Sequence, residues 1–430
     1  MAAAKPFDVA IVGGGISGLT LAIGLLQQNV PITVYESASR FGEIGAGVGF
    51  GPNAVRAMGA ISPDIVEGFK RCITDWESQR KDWFTVRVGD HRKASPDGIL
   101  KQKENEGLKV GDPIFRIDYT NDGLAGGVHR AHFLDELLKL IPNSISKLGK
   151  RLINIDSAAD GSQDVVLHFA DATTAQHSAV VGCDGIKSRT REILLGQDEG
   201  RAVFSGKYAY RGLIPMDKAA EILGEDIARS SQLYMGYHGH ILTYPIEKGS
   251  TMNVVAFSSC STWKDPQWVV KTTKEKMLSD YSTWGTTVNT IIEAMEKRDV
   301  WALFDHPHTT TYYGLNPRVI LAGDAAHACV PHQGSGAGMC LEDSYILSRL
   351  IGEAKTAQDL DAAFKAFDGV RRPRTQRLVR TSREAGLLYE FELEGDDLEA
   401  IERNFKVRMN WIWNVDLQQE LENALSIMRG

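Results

Sequence analysis

The sequence lacks the features of a membrane protein, a nucleic-acid-binding protein or a disulfide-stabilised protein. Its 48 basic residues are outnumbered by 55 acidic ones, and the net charge of −7 does not favour nucleic acid, which needs a basic face. No apolar run is long enough to span a membrane, and no small-residue cleavage site follows the N-terminal apolar run. The five cysteines are odd in number and no two have CxxC spacing, so we expect no disulfide framework and a reducing, cytoplasmic compartment.

Glycine, by contrast, is plentiful. The 42 glycines are clustered rather than periodic, which excludes a collagen-like or linker repeat. The clusters lie at 13–18, 42–51, 123–127 and 334–338. Because glycine lets the backbone approach another group closely, this clustering indicates a bound nucleotide.

The N-terminal segment has the pattern of a βαβ nucleotide-binding unit. An apolar run at 7–12, a glycine turn at 13–18, an apolar helical stretch at 19–28 and a second strand at 32–35 follow one another. Three of the glycines fit the G-x-G-x-x-G pattern: Gly13, Gly15 and Gly18. They permit a tight turn, a close approach to pyrophosphate and helix–strand packing, and Glu36 follows where an adenosine ribose would be bound. The segment therefore predicts dinucleotide binding.

The middle of the chain changes character. Four strand-like segments are separated by turn residues: 207–215, 231–236, 239–246 and 251–258. A buried-strand pattern returns at 319–323, and residues 358–430 are predicted to be mostly helical. We therefore expect an α/β fold, with a Rossmann-like domain, an inserted antiparallel sheet and C-terminal helices.

Three separated motifs then point to a family. GGGISG at 13–18, CDGIKSRTR at 183–191 and AGDAAHACVPHQGSGAGMCLED at 322–343 occur in this order. Together they resemble the single-component flavoprotein aromatic hydroxylases of the para-hydroxybenzoate hydroxylase fold, and in particular salicylate hydroxylase and its fungal phenol-hydroxylating relatives. EIGAGVGFGPNAVRAM, YRGLIP and HILTYP extend the resemblance, which covers roughly residues 7–385.

The resemblance implies FAD as cofactor and a division of the chain into three parts. These are a discontinuous FAD-binding domain (1–75, 112–195 and 300–385), a substrate-binding β-sheet domain (76–111 and 196–299) and a C-terminal helical segment (386–430). No second Rossmann fingerprint is present, so NADH or NADPH is expected to bind transiently at a surface shared with the flavin. A homodimer is also suggested by the family and by an apolar C-terminal helix.

The resemblance also assigns the FAD contacts. It implies that Glu36, Gly49 and Arg130 bind the cofactor and that Asp324 accepts from a ribityl hydroxyl. The backbone N–H groups near Gly336 and Ala337 would face the isoalloxazine oxygen. Asp184 would lie near both flavin and pyridine nucleotide, although a helix cap with Ser188 is an equal alternative. For Arg130, the alternative is a surface helix charge.

For the aromatic substrate, the resemblance implies an arginine and a tyrosine, which Arg211 and Tyr244 match. Arginine suits a planar carboxylate or oxyanion and favours ionisation of a nearby phenol. The alternative for Arg211 is an interstrand salt bridge, and the alternative for Tyr244 is a half-buried core position. His332 is a candidate for proton transfer, with local packing as the alternative. A metal site at His327 and His332 is not expected, since no third ligand is nearby.

The implied reaction is that of a monooxygenase using NAD(P)H and O2. Reduced flavin would form a C4a-hydroperoxide that oxygenates a phenolic ring, and we expect salicylate to be converted to catechol with loss of CO2. Hydroxylation of a fungal-type polyketide phenol, with or without dearomatisation, stays open. A non-redox flavin-fold binding protein is a third hypothesis, which the GDAAH segment disfavours. Small aromatic molecules and O2, not nucleic acid or a membrane, are the expected partners.

Overall fold

The computed structural model describes residues 4–42, 47–73, 82–90, 108–118, 124–160, 162–296 and 299–430. Parts of the glycine clusters at 42–51 and 123–127, and most of 76–111, lie outside these residues. Among the described residues, no helix has both the length and the apolar character needed to cross a bilayer.

A mainly parallel six-stranded sheet forms the first layer. Its strands are β1 (Val9–Val12), β2 (Ile32–Tyr35), β7 (Ser146–Lys147), β11 (Ala179–Gly182), β18 (Tyr313–Leu315) and β19 (Arg318–Leu321), in the spatial order β18-β19-β11-β1-β2-β7. β1, β11 and β19 are completely buried, because one face of the sheet packs against helices and the other against a small antiparallel sheet within residues 152–177. Val12 is in register with both Tyr35 and Gly182, so the carboxyl ends of these strands meet at one edge.

A larger, mostly antiparallel sheet forms the second layer. It contains β4 (Asp82–Val88), β5 (Pro113–Asp118), β12 (Val203–Pro215), β13 (Gln232–Gly236), β14 (Gly239–Ile246), β15 (Thr251–Ser259), β16 (Val269–Lys271) and β17 (Asp299–Asp305). Their order is β16-β17-β12-β15-β14-β13-β4-β5, with only β13 and β4 parallel. Strands are thus present where the four central segments predict them, and β16 and β17 extend the sheet beyond them. The inserted antiparallel sheet of the expected fold class is confirmed.

Two small sheets and the helices complete the described structure. β3 (Gly47–Phe50) pairs with β6 (Gly126–His129), and β9 (Val165–Phe169) lies between β8 (Leu152–Ser157) and β10 (Thr174–His177). The helices before the motif at 322–343 are α1 (Ile16–Gln27), α2 (Pro52–Ile61), α3 (Pro63–Cys72), α4 (Arg130–Leu138), α5 (Arg189–Gly200), α6 (Met216–Leu223), α7 (Glu225–Ala228), α8 (Lys274–Asp280) and α9 (Thr286–Ala294). Those that follow are α10 (Asp324–His327), α11 (Gly336–Glu353), α12 (Asp359–Tyr389), α13 (Leu398–Arg408), α14 (Asn410–Trp413) and α15 (Leu417–Arg429). Short 3-10 turns lie at Asn143–Ile145, Glu247–Gly249 and Pro331–Gln333.

A buried ionic cluster ties the C-terminal helices to the first layer. Arg371 of α12 contacts Asp343 at 2.8 Å, Glu342 at 2.9 Å and Glu420 of α15 at 2.8 Å. Asp343 also contacts His327 at 2.6 Å. Burial would raise the pKa of Asp343, but its interactions with His327, Arg371 and the Gly323 N–H outweigh burial, so this pKa falls to about 2. The cluster therefore anchors α11 and α15 to the long helix α12.

Candidate active site

One large cavity lies between the two layers. Its volume is about 1340 Å³, and it is lined by the strand-end loops of the first sheet and by one face of the second. Its wall includes the site residues expected from the sequence except Gly18: Gly13, Gly15, Glu36, Gly49, Arg130, Asp184, Arg211, Tyr244, Asp324, His332, Gly336 and Ala337. The first-layer residues meet here because their parallel strands end at the same edge, whereas Arg211 and Tyr244 lie on antiparallel strands of the second sheet.

The first glycine motif is held by close backbone contacts. Gly13 has a φ of +108°, and a Cβ there would lie 2.3 Å from the Cys183 carbonyl oxygen. A Cβ on Gly18 would lie 1.9 Å from the Gly13 carbonyl oxygen, so Gly18 acts by packing behind the cavity. Gly15 precedes α1 without a side-chain cap, which leaves N–H groups at the helix start available for phosphate.

Glu36 follows β2 beside this turn. Its Oε2 accepts a hydrogen bond from the Gly14 N–H at 2.8 Å, and its Oε1 accepts from the Ala38 N–H at 2.7 Å. These bonds orient the carboxylate while the residue still lines the cavity. Oε1 also accepts from the Ser37 hydroxyl, so Oε2 is the oxygen with capacity for a further donor, such as a ribose hydroxyl.

A thin glycine wall separates this region from the second sheet. In the β3–β6 pair, Gly49 lies opposite Gly127, and a Cβ on Gly49 would meet no atom within 4 Å. A Cβ on Gly47 would instead lie 2.8 Å from the Tyr244 hydroxyl oxygen. Arg130 begins α4 immediately after β6, half-buried at the cavity wall. The glycines therefore leave space for a flat group beside Tyr244.

Asp184 is engaged by its own helix start. Its carboxylate accepts from the Ser188 hydroxyl at 2.5 Å and from the Thr190 N–H at 3.0 Å. Ser188 in turn caps α5 by accepting from the Arg191 N–H at 2.8 Å. Burial raises the pKa of Asp184, and these hydrogen bonds partly compensate. These contacts have the geometry of a helix cap, which was the alternative interpretation of Asp184, and the residue also lines the cavity.

Asp324 differs, because its carboxylate makes no hydrogen bond to the described part of the chain. It follows β19 and Gly323, lines the cavity and is only partly exposed. A carboxylate in this position needs donors, and ribityl hydroxyls fit that need. Nearby, α11 begins at Gly336 without a side-chain cap, so its first N–H groups suit an electron-rich oxygen. These features, with the glycine turn and Glu36, fit FAD.

The second sheet contributes a cationic aromatic pocket. Arg211 of β12 lies with its guanidinium carbon 5.1 Å from the centre of the Trp301 ring. No carboxylate of the described residues pairs with it, since Asp299 on the neighbouring strand contacts Lys271 at 2.6 Å. Burial lowers the pKa of Arg211, whereas Tyr244 acts in the opposite direction. The interstrand salt bridge is therefore not observed among these residues, and the pocket presents an unneutralised cation.

His332 belongs to a chain of buried polar side chains. Its Nδ1 lies 3.3 Å from Nε2 of His240, whose Nδ1 lies 3.0 Å from Oε1 of Glu390. Phe257 stacks on the His240 ring at 4.2 Å. The sequence indicated only a strand position for His240 and assigned no role to Glu390, because no local pattern links residues 150 positions apart.

The cavity also contains apolar residues to which the sequence motifs assigned no role. They come from neighbouring strands of the second sheet: Ala209, Leu242, Val255, Phe257, Trp301 and Leu303. Within the described ranges, no group of three or more histidine, cysteine or carboxylate side chains could hold a metal ion. The arrangement suits a planar anion held against an apolar wall.

Comparisons with known proteins agree with this geometry. Residues 162–382 match the family model described as FAD binding domain, and residues 11–46 match the NAD(P)-binding Rossmann-like domain. The chain is 39% identical to 6-methylsalicylate 1-monooxygenase atA of Aspergillus terreus, over 98% of this chain and 92% of that protein. It is 37% identical to a salicylate hydroxylase of Pseudomonas putida, over 99% and 95%.

A solved structure shows that the similarity to salicylate hydroxylase extends to the fold. A salicylate hydroxylase substrate complex superposes with a TM-score of 0.82 and 34% identity, covering 98% of each chain. The expected fold class, the expected family and the use of FAD with NAD(P)H are thereby confirmed.

Proposed function

The chain belongs to the FAD-dependent monooxygenases of the single-component aromatic hydroxylase group, and from this premise we propose that it converts a 2-hydroxybenzoate to a catechol. The ring carbon bearing the carboxylate gains oxygen and CO2 leaves. With salicylate, one NAD(P)H, one O2 and two protons are consumed, and NAD(P)⁺, water, catechol and CO2 are formed. When bound, FAD supplies the transfer of electrons from NAD(P)H to O2.

The unpaired guanidinium of Arg211 carries the proposal. A half-buried cation without a carboxylate partner in the described residues is costly unless a ligand supplies the anion. The planar fork of arginine matches the carboxylate of a 2-hydroxybenzoate, and the Trp301 face beside it suits an aromatic ring. Arg211 thus binds the substrate carboxylate.

Two further residues act on the phenol group. Tyr244 lies within electrostatic range of Arg211, and burial raises its pKa, so it stays protonated and donates a hydrogen bond to the phenol oxygen. Nε2 of His332 accepts the phenol proton, which increases electron density on the ring. Phe257, Leu242 and Val255 exclude water from the reacting carbon.

The remaining predicted residues serve the cofactor. In this proposal, the pyrophosphate lies at the N-terminus of α1, Glu36 binds the ribose and Asp324 binds a ribityl hydroxyl. Gly49 and Arg130 line the flavin, and the N–H groups of Gly336 and Ala337 face its ring. The three-part domain division expected from the sequence remains part of the proposal, although α12 continues through residue 385 without a break.

A second candidate is the oxygenation of an alkyl-substituted polyketide phenol. The name of the 6-methylsalicylate 1-monooxygenase of Aspergillus terreus shows that a relative accepts an alkyl-substituted ring, and the chain is also 41% identical to FAD-dependent monooxygenase azaH of Aspergillus niger over 98% of this chain and 97% of that protein. The apolar cavity side chains Leu242, Val255 and Leu303 would accept an alkyl substituent.

A substrate screen with product analysis tests both candidates. Salicylate, 6-methylsalicylate and alkylated resorcinols are each tested for stimulation of NADH and NADPH oxidation, and products are identified by mass spectrometry. Gain of one oxygen with loss of CO2 supports the 2-hydroxybenzoate proposal. Gain of oxygen without loss of CO2 supports the second candidate, and stimulation by neither class refutes both.

A further inference from the structure

A line of ionisable side chains connects the cavity wall to the protein surface. It begins at His332, passes through His240 to Glu390 at 3.3 and 3.0 Å, and continues to Lys207, which contacts the other oxygen of Glu390. Lys207 lies 3.9 Å from Glu392, whose second oxygen is 2.8 Å from Nδ1 of His238. The His238 side chain is 69% exposed, whereas His240 and Glu390 have no exposed surface.

The hydrogen-bond partners determine which ring nitrogens carry protons. The Glu390 carboxylate can only accept, so Nδ1 of His240 is the donor and Nε2 of His240 is the acceptor. Nδ1 of His332 must then donate to His240, which leaves Nε2 of His332, a residue of the cavity wall, unprotonated. Burial lowers the pKa of both imidazoles, so both rings are neutral before substrate binds.

The surroundings favour transfer along this line. The Phe257 ring stacks on His240, and the Tyr389 ring contacts it edge-on at 5.2 Å. Tyr389 donates its hydroxyl hydrogen to the His332 carbonyl oxygen at 3.0 Å, so it does not interrupt the imidazole pair. Ser259 accepts from Lys207 at 2.8 Å and lies 3.4 Å from Glu390, at the outer end.

We propose that His332, His240 and Glu390 form a proton exit path for the substrate phenol. This inference rests on the proposed function, which places a phenol at Nε2 of His332. The phenol proton moves to Nε2 of His332, the Nδ1 proton of His332 moves to Nε2 of His240, and the Nδ1 proton of His240 moves to Glu390. Lys207 gives one proton through Glu392 and His238 to water and regains one from Glu390, so charge and protons balance.

The path assigns a role to the chain after α12. His240 and Glu390 are positioning and relay residues, since neither lines the cavity. Their removal leaves the FAD and carboxylate contacts intact. It should therefore slow turnover without weakening the binding of either ligand.

Glu390→Gln tests the path, because the amide keeps the shape and one acceptor oxygen but cannot take a proton at neutral pH. We expect kcat for product formation from salicylate to fall roughly 10- to 100-fold, as when the carboxylate partner of a functional histidine is lost. KM for salicylate and FAD affinity should be unchanged. The loss should shrink as pH rises, because hydroxide then replaces the internal acceptor.

Two further variants complete the experiment. His240→Gln interrupts the path while keeping the contact of Glu390 with Lys207, and thus guards against misfolding of the first variant. Glu384→Gln removes a half-exposed carboxylate of α12, 3.6 Å from Arg408, and is the matched control with wild-type kcat expected.

The outcomes separate the path from the proposed function. Wild-type kcat in both relay variants, or an equal loss at every pH, overturns the path while the proposed function stands. If wild-type protein converts no salicylate, the proposed function fails. In that case, 15N NMR of substrate-free holoenzyme labelled with [15N]histidine tests the path. The path requires that the rings of His240 and His332 are both neutral and protonated at Nδ1. Any other tautomer of either ring overturns the path.

Discussion

Replacing Arg211 by methionine should strongly lower activity without destabilising the substrate-free protein. Methionine keeps most of the apolar stem that packs by Trp301 but removes the charge. Hydrogen bonds to charged groups contribute about 1.5–3 kcal/mol each, so loss of a bidentate contact corresponds to about 3–6 kcal/mol. At about 1.4 kcal/mol per tenfold change, kcat/KM for salicylate should fall roughly 10²- to 10⁴-fold.

The same substitution should not destabilise the substrate-free protein. Arg211 is half-buried without a carboxylate partner among the described residues, and this burial lowers its pKa. Replacement of such a charge by an apolar side chain is commonly neutral or stabilising, so we expect the free energy of unfolding to change by less than about 1 kcal/mol or to increase.

Arg87→Met is the matched control in the same sheet. Arg87 donates to the Gln232 side chain at 2.6 Å and to the Gly111 carbonyl at 2.8 Å, and it does not line the cavity. Its replacement should cost about 1–3 kcal/mol of stability but leave kcat/KM unchanged. Coupled turnover by product analysis and thermal unfolding of each holoenzyme measure the two effects. Retained turnover in Arg211→Met with a large loss of stability would refute the assignment of Arg211 to substrate.

Three other perturbations have defined outcomes. Gly386→Ala places a methyl group 2.7 Å from the His332 ring and should displace the ring, although alanine normally stabilises a helix interior. We expect kcat to fall roughly 10-fold with unchanged FAD affinity. A wild-type kcat would show that the position of the His332 ring does not matter. Asp324→Ala should raise the Kd for FAD about 10- to 100-fold in apoprotein titrations, and full FAD retention would contradict its role. Asp343→Asn should cost about 2 kcal/mol at neutral pH. The pKa of Asp343 is about 2 in the folded protein, below its unfolded value, so its contribution to stability is present above about pH 4 and is lost as pH falls towards 2. The free energies of urea unfolding of wild type and Asp343→Asn should therefore converge near pH 2. If the two free energies stay parallel across this pH range, this ionic contribution is excluded.

Local sequence patterns predicted much of the fold and of the cofactor region. The βαβ unit at the N-terminus is encoded within about 30 residues, and its glycines have local steric reasons that a pattern can reveal. The four central strand-like segments became β12 to β15 because alternation and turn residues are also local. Helix α4 begins only at Arg130, because residues 126–129 form strand β6 and pair with β3.

Choices between alternatives depended on the neighbours that the folded backbone supplies. Asp184 accepts hydrogen bonds from Ser188 and Thr190 at the start of α5, a local contact that the motif itself offers as an alternative. Arg211 lacks a carboxylate partner in the described chain, because Asp299 on the neighbouring strand contacts Lys271 instead. This second outcome does not follow from a motif, since it is decided by residues far apart in the sequence.

The sequence by itself determined the family, the cofactor class and the approximate position of each motif, because backbone turns and strand periodicity depend on near neighbours. Only the tertiary structure decided which groups share the cavity. His332, His240 and Glu390 are separated by 92 and 150 positions, yet hydrogen bonds join them. Such contacts arise because a sheet packs against the end of a helix, and the spacing of residues in the sequence does not show which distant residues become neighbours.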